Sequence, residues 1–284
     1  MILPTILSTH TLQQLLPYRE IDAHAIYRNR NSLGFGYHLF LSHPSHLKTV
    51  HTLISETHPP KSCHTALFLH RHSACEPSFQ YYLFVSAPYL PQQRQGLKAY
   101  RQILGKALDT QNIPYQNVNA TDFLIFLRTL ISPNLHHTTW PGLIDTQQLP
   151  FQHLIPTPGT RIQITEQYLD ILTTNHEGES EQVRLVSYHS EHPEDCRLLW
   201  AYSTHISERI AGDMLISLTV ENNRPMASLA CFTPSASNNE QHLETVCSDL
   251  GLHLQRPQEV LVSFFNSMPF GFTERSYRRY LKQI

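Results

Sequence analysis

Histidine and cysteine carry the most chemical capacity in this chain, with 19 His and 5 Cys among 284 residues. One group stands out: Cys63, His70, His72 and Cys75. On a strand, His70 and His72 point to the same side. The two cysteines are soft ligands able to complete a tetrahedral zinc site with them. Structural zinc sites usually place their ligands in tight C-x-x-C or H-x-x-x-H pairs, and neither pair here has that spacing. A buried cysteine beside exposed histidines accounts for the same residues without metal. His43 with His46 and His189 with His192 are H-x-x-H pairs in expected loops.

ATP hydrolysis by a P-loop protein requires a glycine loop followed by Lys and a hydroxyl residue, because backbone amides cradle the phosphate while the Lys and hydroxyl engage phosphate and magnesium. The only Gly-Lys pair is Gly105-Lys106, with Tyr100 where the first glycine belongs and Ala107 where the hydroxyl belongs. It falls inside an expected helix. Gly34 and Gly36 do not make a dinucleotide fingerprint, since they lie inside an expected strand. A serine-hydrolase elbow, a known cysteine-nucleophile signature and an H-E-x-x-H helix are missing from the sequence. Glu177 and Glu179 read as solvated turn carboxylates. The chain is expected not to be an enzyme and to need no cofactor.

The composition is that of a folding chain: 40% hydrophobic, 15% charged, with 13 Phe and 13 Tyr. A net charge of −2 leaves no global basic footprint, so direct nucleic-acid binding is not expected. Arg275, Arg278, Arg279 and Lys282 share one stripe at helical spacing, which reads as a solvated helix face. Pro4, Ser8, Thr9 and His10 interrupt the apolar start, so it does not read as a signal peptide. The apolar runs at 124–127 and 260–265 fall far short of the about 20 residues that span a bilayer. An odd cysteine count without a C-x-x-C pair fits a reducing cytosol.

Periodicity supplies the elements. Leu33, Phe35, Tyr37, Leu39 and Leu41 alternate on one strand face. The 18–27 segment is expected as its partner strand. Helices are expected at 47–57, where Leu47, Val50, His51 and Ile54 share a face, and at 95–110 through Leu97, Tyr100, Leu104 and Leu108. Asn119 or Thr121 would cap a third, with Asp122 in its first turn. A fourth, 240–251, should stop at Gly251. Further strands are expected at 65–71, 79–87, 161–165, 168–173, 182–188, 214–220, 225–233 and 259–265, and the 214–220 and 225–233 pair should turn at Glu221-Asn222-Asn223. No internal repeat is visible. The fold class is α+β with two lobes, 1–137 and 160–284, each a mainly antiparallel sheet with helices packed on one face. A proline-rich connection at 138–159 would join them.

The order of these segments resembles the N-terminal domain of TraC-like type IV secretion ATPases of conjugation systems. Leu16-Pro-Tyr-Arg-Glu20 followed by Leu33-Gly-Phe-Gly36 is similar to that family's opening. The run from Ala120 through Phe123 and Leu127 to Pro133 resembles its leucine-rich helix ended by proline. Ile210-Ala-Gly-Asp213 and Phe265-Asn-Ser-Met-Pro269 match later segments. Family members continue into a RecA-like core with a P-loop, which this sequence does not contain, so on this resemblance the chain is expected to be an excised domain or a stand-alone or truncated relative. The resemblance implies a non-catalytic module that docks to inner-membrane type IV secretion components and to its own subunits. It also implies a cytoplasmic location, peripheral at the inner membrane. The other reading is a zinc-binding or uncharacterised cytosolic interaction protein.

Interface candidates follow from composition. Gly34 and Gly36 would let another backbone approach their strand closely, or else mark a bulged core strand. Phe270, Phe272 and Tyr277 beside Arg275, Arg278 and Arg279 combine the residue types enriched at interface hot spots.

Overall fold

The computed structural model describes residues 18–22, 25–28, 32–42, 44–71, 79–120, 122–123, 161–164, 169–174, 180–209, 213–221, 224–234 and 239–256. Among the described residues, eleven strands form one antiparallel sheet. In the first half they are β1 (Tyr18–Asp22), β2 (Ala25–Arg28), β3 (Ser32–Leu39), β4 (His64–Arg71), β5 (Gln80–Pro88) and β6 (Tyr115–Val118). In the second half they are β7 (Arg161–Ile164), β8 (Leu169–Thr174), β9 (Ser180–Ser190), β10 (Asp213–Glu221) and β11 (Arg224–Pro234). The described helices are α1 (Pro44–Glu56), α2 (Pro91–Thr110), α3 (Pro193–Arg209) and α4 (Asn239–Asp249).

The α+β class and the antiparallel pairing are as expected; the separation into two sheets is not. β4 and β10 pair over seven residues, from Thr65 opposite Val220 to Arg71 opposite Met214, so one sheet runs through both halves. The order is β1-β2-β3-β5-β4-β10-β11-β9-β8-β7, with β6 sharing the outer edge of β3 with β2. Residues 65–70 of β4 and 214–219 of β10 are buried along the seam, and neither strand is left as an open edge. The connection expected at 138–159 and the strand expected at 259–265 lie outside the described residues. The 18–27 segment is itself the β1–β2 hairpin, and only β2 pairs with β3.

That order is a duplication. Each half runs hairpin or strand pair, long strand, helix, strand, strand, helix. In each, the first long strand (β3, β9) pairs with the third (β5, β11), which pairs with the second (β4, β10); the two second strands then pair with each other. The central helices α1 and α3 touch across the seam, and each packs on its own half's second helix. Both second helices end in the same left-handed cap, at Asn112 (φ 53°) and Gly251 (φ 71°). The amide of Ile113 donates to the Leu108 carbonyl (3.0 Å), and the amide of Leu252 to that of Cys247 (2.9 Å). Just beyond, Gln116 pairs with His38, and Gln255 with His189. The sequence trace is thin: Tyr37-His38 against Tyr188-His189, and Pro88 against Pro234 at matched sheet positions.

The core lies between the sheet and the four helices. Leu33, Phe35, Tyr37 and Leu39 join Leu67, Leu83, Val186, Ile216 and Leu229 beneath Leu53, Leu104, Leu199 and Leu243. The opposite sheet face is also buried, with Phe68 and Phe84 in the first half and small residues such as Ser187, Ser217 and Ala230 in the second. Phe123 reaches it at 5.2 Å from Phe84. It follows a reciprocal cap in which the Asp122 amide donates to Asn119 Oδ1 (2.8 Å) and the Asn119 amide to Asp122 Oδ2 (3.3 Å).

Candidate functional site

The cysteine and histidine group does not assemble within the described residues. Cys63 belongs to the helix-side core with Leu67 and Leu69, whereas His70 lies on the other face of β4 with Phe68, so the two diverge. Burial pushes the Cys63 thiol up to about 11, which keeps it protonated and a poor ligand. His72 and Cys75 lie outside the described residues. Among the described residues no group of three His, Cys, Asp or Glu is placed to hold a metal ion.

Gly34 and Gly36 are buried in an unbulged strand with both edges paired. A Cβ on Gly36 would stand 2.5 Å from the Phe84 ring, so the room left by this glycine is filled from within. This corrects the expectation that a partner approaches there. Phe270, Phe272, Arg275, Tyr277, Arg278 and Arg279 lie outside the described residues.

A solvent-open cleft of about 370 Å³ lies instead where β3 and β6 meet α2. Its floor is Tyr37, whose hydroxyl donates to the Arg101 carbonyl (2.9 Å) and whose ring meets Tyr115 edge-on at 4.7 Å. Gly105, the residue of the failed P-loop pair, sits mid-helix against both phenols. A Cβ there would be 3.0 Å from Tyr115 Oη and 3.4 Å from Tyr37 Oη. Arg101 and Lys106 reach the rim from the helix and Asn117 from β6; Asp109 lies beside Tyr115. Neither cation has a carboxylate within ion-pair distance among the described residues. Burial, helped by the neighbouring Tyr115, holds the Tyr37 phenol far above its usual range, so it remains a hydrogen-bond donor at any physiological pH. Sequence reasoning missed this cleft because Tyr37 read only as a core position and Gly105-Lys106 only as a failed phosphate loop.

The second half shows the same place filled. Matching Leu108 to Cys247 through the caps aligns Gly105 with Glu244, Arg101 with Glu240 and Asn117 with Arg256. Arg256 bridges both glutamates, donating through Nε to Glu244 Oε1 at 3.1 Å. Its guanidinium stands 5.8 Å from the Tyr188 ring centroid. The Tyr188 hydroxyl donates to the same Glu244 oxygen (3.3 Å).

The other polar cluster is structural. Asp195, fully buried in the first turn of α3, accepts from the Ser190 hydroxyl and from the His253 amide (3.1 Å). The Ser190 oxygen in turn accepts from the His192 amide (3.0 Å). A serine nucleophile needs a neutral base to take its proton and an opening toward substrate. Here the hydroxyl faces a carboxylate that also ties the segment after α4 to the start of α3. Burial raises the thiols of Cys196 to about 11 and Cys247 to about 12, so neither is an activated nucleophile.

Comparison with models of known families and with curated proteins gives no match. No helix among the described residues is long and apolar enough to cross a membrane.

Proposed function

We propose that the chain is a non-catalytic docking module of the kind that opens TraC-like type IV secretion ATPases, working by binding partners and its own copies at the cytoplasmic face of the inner membrane. The observation that supports this reading is the state of its reactive groups. The described thiols with raised pKa are buried and protonated, the Ser190 hydroxyl is held by a buried carboxylate, and Gly105-Lys106 lies in a helix rather than a phosphate loop. A continuous sheet carrying a helix layer is a stiff platform, suited to presenting surfaces.

The test is membrane fractionation with and without co-expressed inner-membrane type IV secretion components, alongside an ATP-hydrolysis assay. The chain should sediment with membranes only when those components are present, and should turn over no ATP. Equal distribution in both strains, or ATP turnover that survives purification, would overturn the reading.

A further inference from the structure

We infer that the cleft between β3, β6 and α2 binds the carboxylate group of a small organic acid, received between Arg101 and Lys106 above the two tyrosines.

The repeated topology of the two halves points to this site. In the second half, the space over Tyr188 holds a carboxylate, Glu244, fixed by a guanidinium and a phenol. In the first half the corresponding residue is Gly105, so the carboxylate and its whole side chain are missing; the Tyr37 and Tyr115 hydroxyls close up against the glycine, and the cleft opens beside them. The charges are also reversed. Where the second half places Glu240 on the helix, the first places Arg101; where the second extends Arg256 from the following segment, the first has the short neutral Asn117. The first half therefore keeps cations around the place of a carboxylate that it does not itself supply. Guanidinium and ammonium groups are the side chains that hold carboxylates most strongly, through charge-assisted hydrogen bonds. Asn117 adds a neutral donor on the β6 side, whereas the Tyr115 hydroxyl is engaged by Asp109. Asp109 stands at one edge and disfavours a second negative charge there, while favouring an ammonium such as that of an amino acid. A cleft of about 370 Å³ is at the small end of ligand sites, fitting a molecule of a few carbons rather than a nucleotide.

The test is titration of the whole chain at low salt with succinate, glutamate, inorganic phosphate and a hexaglutamate peptide, followed by calorimetry. Saturable binding of succinate or glutamate is expected. Arg101→Gln should weaken it about ten-fold or more, the usual effect of losing a charge-assisted contact. Asn117→Glu places a carboxylate in the cleft from β6, and should abolish binding while raising the melting temperature. Circular dichroism of each variant separates lost binding from lost fold. Binding of hexaglutamate with the same Arg101 dependence would support the carboxylate chemistry and assign its source to an acidic peptide. Saturation by phosphate alone, binding untouched by Arg101→Gln, or no saturable binding of any probe would overturn the inference. None of these outcomes depends on membrane docking.

Discussion

Tyr37 and Tyr188 hold the same position in the two halves of one sheet, each on the helix side of the first long strand, yet their hydroxyls are engaged differently. The Tyr37 hydroxyl donates to a helix carbonyl, that of Arg101, and leaves a cleft above it; the Tyr188 hydroxyl donates to Glu244, which Arg256 covers. Three exchanges, Glu244 against Gly105, Glu240 against Arg101 and Arg256 against Asn117, separate the closed ion-pair cluster from the open polar site.

Two glycines should respond to alanine with opposite signs. Gly36→Ala drives a methyl into Phe84, whose ring is held by Phe68 at 5.9 Å and Phe123 at 5.2 Å and cannot retreat. A loss of about 1–3 kcal/mol is expected from such overpacking. Gly96 in α2 has only Pro60 near its missing Cβ, at 4.0 Å, so Gly96→Ala should gain up to about 1 kcal/mol of helix propensity. Urea midpoints of the two variants decide the signs.

Asp195 should matter more than an exposed carboxylate. Asp195→Ala leaves the Ser190 hydroxyl and the His253 amide without their acceptor and should cost about 2–3 kcal/mol. Ser190→Ala removes one donor only and should cost about 1 kcal/mol. Amide exchange at His253 should accelerate in the first variant; unchanged exchange and unchanged stability would remove Asp195 as the tie between α3 and the segment after α4.

Alkaline pH should destabilise the fold through its buried thiols. Cys63 and Cys196 are raised to about 11 and Cys247 to about 12, from an ordinary value of 9.0. The folded state holds these protons more tightly than the unfolded chain. Their contribution is therefore complete below pH 9 and is lost as pH rises through 11 to 12. Stability measured by urea should be insensitive to these groups from pH 6 to 8 and fall above 9. Alkylation at pH 8 should be slow in the native protein and fast in denaturant; rapid native labelling of Cys63, Cys196 and Cys247 would contradict their burial.

Because β4 and β10 share a ladder, unfolding should be a single transition by circular dichroism and by amide exchange in both halves. Two separated transitions would mean that the seam contributes little and that each half holds its own fold.

What the sequence determined by itself was local. Alternation placed Leu33, Phe35, Tyr37 and Leu39 on the buried face of β3, and the period of Leu97, Tyr100, Leu104 and Leu108 placed α2. Asn119 with Asp122, and Gly251, marked a start and a stop through side-chain and backbone chemistry that needs no distant partner. β6 escaped notice because Tyr115-Gln-Asn-Val118 is short and half polar. α3 escaped because its buried stripe runs through Asp195, Leu199, Ser203 and Ile206, and two polar members break the apolar period. Tertiary structure alone decided that β4 meets β10, that the two halves are one architecture repeated, and that a cleft lies beside Gly105 where Glu244 and Arg256 close one. The physical reason is that strands pair through backbone amides and carbonyls, which are nearly the same for every residue. A pattern of side chains reports which face is buried, not which edge lies alongside it or what stands across the gap.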